Sequence, residues 1–341
     1  VIPTTMRTAV LRGVEDVVLE ERPVPTPGDH EVLVRVSAVG TCGSDAHYYK
    51  HGRIGSYVVE APLVLGHEAG GVVVAAGSGV TRSALGQRVS LEPGVPCRAC
   101  AQCLAGRYNL CPDMRFFATP PIDGAFCEFV TLHEAFAHPV PDTMSDEAAA
   151  LCEPLSVGIW ACRKAGVGPG DRVLVTGAGP IGLVAVQAAR AFGAAEVVVT
   201  DVKPHRLALA AELGATAIDV SRTPLGETGV EPSVLLECSG HPRAIGEAIR
   251  TVARAGRVVL VGMGGDEIPL PLDHLQTREL RITGTFRYAN TWPTAIDLIT
   301  AGAVDVDRLV THRFDLAHVP DALTAGDTDP TAIKSVVLPG N

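Results

Sequence analysis

Charge, aromatic rings and unbroken apolar runs are all scarce in this 341-residue chain. Charged residues make up 19% and aromatic residues 4%, the formal net charge is −10, and no basic run reaches five residues. Without a basic patch the chain has no electrostatic footprint for nucleic acid, and it reads as an acidic, soluble globule. The longest uncharged run, Val173–Ala189 (VLVTGAGPIGLVAVQAA), is broken by three glycines and a proline. A membrane span of roughly 20 apolar residues rarely tolerates that pattern. The opening VIPTTMRTAVLRGVEDVV has no apolar core followed by a small-residue cleavage site, so no secretory leader is read there and a cytoplasmic location is expected.

What is present is a composition suited to packing. Hydrophobic residues reach 47%, with 36 glycines and 25 prolines to punctuate turns. The length suggests two domains on a rough 150-residue prior. Nine cysteines, an odd number, cannot all pair within the chain. In a reducing compartment clustered thiols are more often metal ligands or redox groups than bridges.

The first half alternates β-like runs with Gly/Pro turns: EVLVRVSAVG (31–40), GGVVVAAG (70–77), QRVSLEP (87–93) and AFCEFVTL (125–132). After Glu153 the texture changes. LSVGIWACRKAG has helical spacing, and Pro154 suits a first helical turn. Apolar strands then alternate with amphipathic helices: RVLVTG (172–177), EVVVTD (196–201), VLLECSG (234–240), RVVLVGMG (257–264) and LRITGTF (280–286). That alternation predicts an α/β fold, with a β-rich domain followed by a parallel sheet covered by helices on both faces.

Inside the uncharged run, Gly177-Ala-Gly179-Pro-Ile181-Gly182 follows a predicted strand and opens a predicted helix. Asp201 ends the next strand, nineteen residues beyond Gly182, where its carboxylate can take both hydroxyls of an adenosine ribose. The glycines allow the backbone to approach a pyrophosphate, and the helix N–H groups face its charge. Asp201 disfavours a 2′-phosphate and so favours NAD over NADP, while Lys203 and Arg206 nearby pull the other way.

Two clusters have metal-ligand chemistry. Cys97-x₂-Cys100-x₂-Cys103-x₇-Cys111 offers four thiolates on one short loop, enough to close a tetrahedral zinc with no position left for substrate. Disulfides or an iron–sulfur cluster are the alternatives. Upstream, Cys42-Gly-Ser44-Asp-Ala-His47 and Gly66-His67-Glu68 place a thiol, imidazoles and carboxylates on turns beside β-runs. A catalytic zinc takes about three protein ligands and keeps one position open.

TCGSDAHYYKHGRIG, LVLGHEAGG, the four-cysteine loop, CEPLSVGIWAC, GAGPIG and TFRYANTWP occur in one order across the chain. Together they resemble the zinc-dependent medium-chain dehydrogenases, with the polyol branch of sorbitol and xylitol dehydrogenases nearest. The resemblance implies a GroES-like catalytic domain over residues 1–153, a Rossmann NAD-binding domain over 154–286, and a return to the catalytic domain over 287–341. It implies that Cys42, His67 and Glu68 hold a catalytic zinc, and that Glu153 completes the zinc shell, holding a zinc-bound water or touching substrate. Cys152 is the alternative for that place. The loop cysteines become a structural zinc, giving two zinc ions per chain, and their complete set points to a microbial-type enzyme.

The same resemblance implies substrate contacts at Tyr48, Glu153, Arg287 and Tyr288. Cofactor contacts are implied at Gly177, Gly179, Ile181, Gly182, Asp201, Arg206, Val261, Gly262, Met263, Thr285, Phe286 and Arg287. Ser44 and His47 are expected to pass a proton to solvent. The implied activity is oxidation of a polyol secondary alcohol to a ketose with NAD accepting hydride, in a cleft between the domains of a homotetramer that binds neither nucleic acid nor membrane. Rival readings are another zinc alcohol or amino-alcohol dehydrogenase, acting on butanediol or threonine, and a non-catalytic NAD-binding protein.

Overall fold

In the computed structural model, which describes residues 2–265 and 267–340, the run EVLVRVSAVG forms the strand Glu31–Gly40 over those same residues. It organises a seven-stranded sheet. Glu68–Ala76 pairs antiparallel along it, Phe129–His133 pairs near its start, and Lys334–Val337 pairs with its end through Val336↔Gly40 and Val337↔Val39. Val32, Val34, Val36 and Val73 turn inward onto Leu65, Phe126 and Leu132, forming the core of this unit. Leu33, Arg35 and Ser37 alternate with these onto the opposite side, as the period of two requires, and a register shift between Val36 and Ala38 returns Val39 to the core.

The later strands form a six-stranded sheet ordered Thr216–Asp219, Glu196–Asp201, Arg172–Thr176, Val234–Glu237, Arg257–Leu260, Arg281–Gly284. Every neighbouring pair is parallel. Helices Pro180–Ala191, Pro204–Glu212 and Pro242–Ile249 each place a proline in their opening turn, where its missing N–H is harmless. The chain builds outward from Arg172–Thr176 on one side, then crosses to Val234–Glu237 on the other. The reversal leaves a crevice at the carboxyl ends of those two strands, the usual ligand position in a doubly wound sheet. The predicted architecture, a β-rich domain and a doubly wound parallel sheet, is what forms.

The chain divides into one unit of Val1–Glu153 with Val306–Asn341 and a second of Pro154–Asp305. The return was expected at 287, and in this division it comes at 306. Residues 287–305 stay with the second unit because Arg163 holds Asn290 O at 2.7 Å and Thr294 Oγ1 at 2.8 Å, while Gln187 bonds Asp305 through both its main-chain N and O. Trp292 and Ala295 are fully buried there.

Pro154 also needs correcting. It lies inside a single helix, Asp146–Ala165, rather than in a first turn. The true start is capped by Ser145, whose Oγ accepts Ala148 N at 2.8 Å. Among the described residues no helix is long and apolar enough to cross a membrane.

Candidate metal centre and dinucleotide cradle

Strand Glu31–Gly40 delivers the chain to Thr41 and Cys42, and Cys42 sits at the N-cap of helix Gly43–His51. Glu68 opens the strand paired with it, opposite Gly40. A Cβ on Gly40 would lie 2.0 Å from Glu68 Oε2, so this place in the sheet requires glycine. The turn before Glu68 puts Gly66 at φ +87, with its N–H donated to Asp45 Oδ1 at 3.0 Å. The outcome is one thiol, one imidazole and one carboxylate, from Cys42, His67 and Glu68, with donor atoms all within 4.8 Å of one another.

Asp45 ties the cluster together. It is fully buried, accepts Cys42 N at 3.1 Å on Oδ2, and lies 3.4 Å from His67 Nδ1 through Oδ1. Burial alone would raise its pKa, but the charge and hydrogen bond of His67 and the N–H groups of Gly66 and Cys42 hold it below the usual range. His67 experiences the converse: burial would lower its pKa, and Asp45 followed by Cys42 raise it well above the ordinary value. A proton kept on Nδ1 by Asp45 leaves the lone pair on Nε2. Sequence reading quoted Asp45 within its motif without giving it a task. The signal was the three-residue spacing from Cys42, which suits a side chain reaching back to an N-cap.

Lys334 was missed altogether. Its Nζ, deeply buried, donates to Glu68 Oε1 at 2.6 Å and to Thr41 O at 2.7 Å. Burial, opposed by Lys334 and reinforced by the charge of Glu153, pushes the Glu68 carboxyl up to about 7. Lys334 is held above its ordinary value because Glu68, then Cys42, outweigh its own burial.

Glu153 is buried close enough to influence Glu68 but is not among the groups whose donor atoms lie within 4.8 Å of each other. It stands inside helix Asp146–Ala165, away from the helix start. Cys152 is packed in the core, donates its S–H to Ala148 O at 3.5 Å, and is pushed by burial to about 12, the behaviour of a protonated packing thiol. The donor set itself suits zinc: one soft thiolate, one imidazole and one carboxylate, the carboxylate lying against Lys334 Nζ at 2.6 Å from Oε1 and 2.5 Å from Oε2. On the same helix, Tyr48 is buried, whereas His47 is exposed and meets His51 edge-on at 4.5 Å. Burial, then His51 and Lys50, lower the His47 pKa. Ser44, one turn back on that helix, is partly buried.

The four loop cysteines also converge. Cys97, Cys100, Cys103 and Cys111 are all unpaired, and their sulfur atoms lie within 4.8 Å of one another. Cys100 and Cys103 sulfurs are 3.5 Å apart, and those of Cys97 and Cys103 4.0 Å. A tetrahedral zinc with bonds of about 2.3 Å would set sulfurs about 3.8 Å apart. Backbone N–H groups of Cys97, Cys100 and Cys103 point at the sulfurs of Cys111, Cys97 and Cys100 at 3.3, 3.3 and 3.5 Å. The lobe has little core of its own: helix Ala101–Leu104 buries nothing, and Leu104 and Leu110 are exposed. It docks through Tyr108, whose ring meets Phe136 edge-on and whose Oη donates to Glu92 Oε1 at 2.6 Å, and through Arg98 to His133 Nε2 at 2.9 Å.

In the second unit, Gly177 has φ +83, and a Cβ there would meet Ser239 at 3.0–3.2 Å; a Cβ on Gly182 would lie 1.7 Å from Gly177 O. Gly179 is the N-cap of helix Pro180–Ala191, with Ile181 in its first turn and a guanidinium nitrogen of Arg206 3.6 Å from where its Cβ would stand. Asp201 accepts Ala178 N at 2.7 Å on Oδ2, and Val202 N and Lys203 N at 2.7 and 2.8 Å on Oδ1. It therefore shapes the glycine turn.

Val261 N and Gly262 N both bond Glu237 O at 2.8 Å, and Thr285 N bonds Leu260 O at 3.0 Å. Met263 and Phe286 are exposed, and the Arg287 guanidinium lies 4.8 Å over the Phe286 ring. Tyr288 is buried edge-on against Trp292. Arg287 and Tyr288 belong to the second unit, Tyr48 and Glu153 to the first.

Residues 28–142 match the family model of the alcohol dehydrogenase GroES-like domain, and residues 180–301 that of the zinc-binding dehydrogenases. Sorbitol dehydrogenase of Bacillus subtilis (strain 168) is 44% identical over 332 residues, covering 94% of each chain. Sorbitol dehydrogenase of Bos taurus is 48% identical over 322 residues, 92% of this chain and 90% of that one. Among solved structures, L-idonate 5-dehydrogenase from Escherichia coli superposes with a TM-score of 0.92 at 32% identity, covering 98% of both chains. The two domain matches, the cysteine–histidine–glutamate cluster and the glycine cradle thus have one explanation: the chain belongs to the zinc-dependent medium-chain dehydrogenases, in their polyol dehydrogenase branch.

Proposed function

We propose that this protein oxidises a secondary alcohol of a polyol such as sorbitol or xylitol to the ketose, passing the hydride to NAD. The observation that carries this reading is the convergence of Cys42, His67 and Glu68 donors within 4.8 Å. A zinc ion held by those three residues supplies Lewis acidity that lowers the pKa of an alcohol so that it ionises near neutral pH.

The remaining work falls to the protein's own groups. Asp45 fixes the His67 ring, and Lys334 restrains the Glu68 carboxylate from close to both its oxygens. With one thiolate and one carboxylate as donors the metal charge is balanced, and Glu153 and Tyr48 add oxygen-rich partners for neighbouring hydroxyls, a better match to a polyol than to ethanol. Ser44 takes the alcohol proton, and His47, exposed on the same helix, hands it to solvent. Arg287 and Tyr288 complete substrate recognition by family resemblance.

Within this reading a second zinc occupies the four-cysteine lobe, supported by its sulfur spacing. NAD is preferred over NADP, supported by Asp201 at the strand end. A cytoplasmic homotetramer follows the family habit. The test is NADH production across stereoisomeric polyols, butanediol and threonine at saturating NAD. Turnover highest on sorbitol or xylitol supports the assignment; turnover confined to butanediol or threonine replaces it.

A further inference from the structure

Glu237 is a carboxylate with no exposure to solvent at the carboxyl end of strand Val234–Glu237, where the neighbouring positions are Val234, Leu235 and Leu236. Its register partners are Thr176 at the end of one neighbouring strand and Leu260 at the end of the other. That is the side of the sheet reversal where the glycine fingerprint begins.

A buried carboxylate is costly unless its oxygens are satisfied, and here neutral donors do so. Oε1 accepts Thr176 Oγ1 at 3.0 Å, Ser239 N at 3.0 Å, Gly240 N at 3.2 Å and a short bond from Ser239 Oγ; Oε2 accepts Gly240 N at 3.1 Å. Its main-chain carbonyl accepts Val261 N and Gly262 N, both at 2.8 Å.

These bonds join the three loops that crown adjacent strands, and the loops meet at backbone contact. A Cβ on Gly177 would come within 3.0 Å of Ser239 Cα. One on Gly262 would come within 2.3 Å of Gly240 N, and one on Gly264 within 2.2 Å of Gly240 O. Gly240 itself has φ +66. The Ser239–Gly240 backbone thus lies against Gly177 on one side and against Gly262 and Gly264 on the other, with no room for a side chain between.

We propose that Glu237 is a positioning residue for the nicotinamide dinucleotide. It gathers the loops at 177–179, 238–240 and 261–264 into one rigid rim, so that Gly177 and Gly262 present their backbone to the cofactor at fixed spacing. The inference rests on dinucleotide binding at the glycine fingerprint and is independent of the metal centre and of the polyol.

Glu237→Gln is nearly isosteric, but with its carbonyl oxygen kept at the Oε1 position its NH₂ group takes the Oε2 position and faces Gly240 N–H, so a donor faces a donor. Fluorescence titration of the zinc-loaded enzyme with NADH should show Kd raised on the order of tenfold. KM for NAD should rise in parallel, with KM for the polyol, kcat at saturating NAD and zinc content close to the parent. Ser239→Ala and Thr176→Val each remove one donor and should raise the NADH Kd in the same direction by less, which keeps the test open if Glu237→Gln fails to fold. A lowered Tm in these variants with NADH Kd unchanged would make Glu237 a packing residue only and overturn the proposal. Should the parent bind NADH yet turn over no polyol, the functional reading fails while this titration still decides the role of Glu237.

Discussion

Lys334 Nζ and Glu68 Oε1 are 2.6 Å apart in a pocket where both side chains are almost completely buried. The pair exists because strand Lys334–Val337 joins the edge of Glu31–Gly40 and brings a lysine from near the end of the chain onto the first residue of Glu68–Ala76. Removing one partner leaves the other as an uncompensated buried charge, whereas replacing both with apolar groups is often close to neutral. Lys334→Met should therefore lower the stability of the chelator-treated protein by about 3–5 kcal/mol. Lys334→Met combined with Glu68→Leu should recover most of it, as read from denaturant midpoints. Equal losses in the single and double variants would show that the pair is not what matters there.

Asp45 touches both Cys42 and His67, so its effect should register in metal affinity before it registers in folding. Asp45→Asn is expected to weaken zinc binding about 10- to 100-fold in a competitive chelator titration, with far-UV circular dichroism unchanged. Unaltered affinity would leave the orientation of His67 to other contacts.

The four-cysteine lobe has no buried apolar helix face to hold it, which makes the metal its folding staple. Cys100→Ser should remove one zinc per chain and lower Tm, while the metal at Cys42, His67 and Glu68 stays. A Tm equal to the parent's would assign the lobe's order to its docking contacts at Glu92 and His133 instead.

Thiol chemistry in chelator-stripped protein should separate the cysteines by environment. Backbone N–H groups of Ala99 and Cys100 pull the exposed Cys97 down to about 7, whereas burial pushes Cys127, Cys152 and Cys162 up to about 12. The thiolate is the reactive form, so Cys97 alkylation should rise with pH and reach half its maximum near pH 7. The three buried thiols should stay unmodified until the protein unfolds. Peptide mapping after iodoacetamide treatment reads both outcomes, and early labelling of Cys152 would contradict its packed placement.

Asp201 serves three backbone N–H groups besides its expected ribose contact. Asp201→Ala should accordingly weaken NAD on the order of tenfold or more, and NADP less, because only NAD loses the ribose partner as well as the turn. An unchanged ratio of the two Kd values would take Asp201 out of cofactor selection.

How much of this was legible in the sequence depended on whether the information is local. The glycine fingerprint, the cysteine lobe and the strand Glu31–Gly40 are short-range patterns, and residues within a few positions of each other suffice to define them. Lys334 lay beyond reach because its contact with Glu68, 266 positions away, is set by a long-range strand pairing that no periodicity reports. Pro154 misled in another way. A proline usually marks a helix start, but here the flanking residues from Asp146 to Ala165 are buried well enough for packing to sustain one helix across it. Residues 287–305 remained with the second unit through the Arg163 and Gln187 bonds, which only the folded chain reveals.

Zinc counted per chain by elemental analysis, on protein whose NADH production from sorbitol is measured in the same sample, tests the central claim most directly. The account predicts two zinc ions in the active parent, and one in a Cys42→Ser variant that still binds NADH but no longer produces it. An active parent carrying a single zinc, retained in full by Cys42→Ser, would contradict the assignment of Cys42, His67 and Glu68 as the catalytic centre.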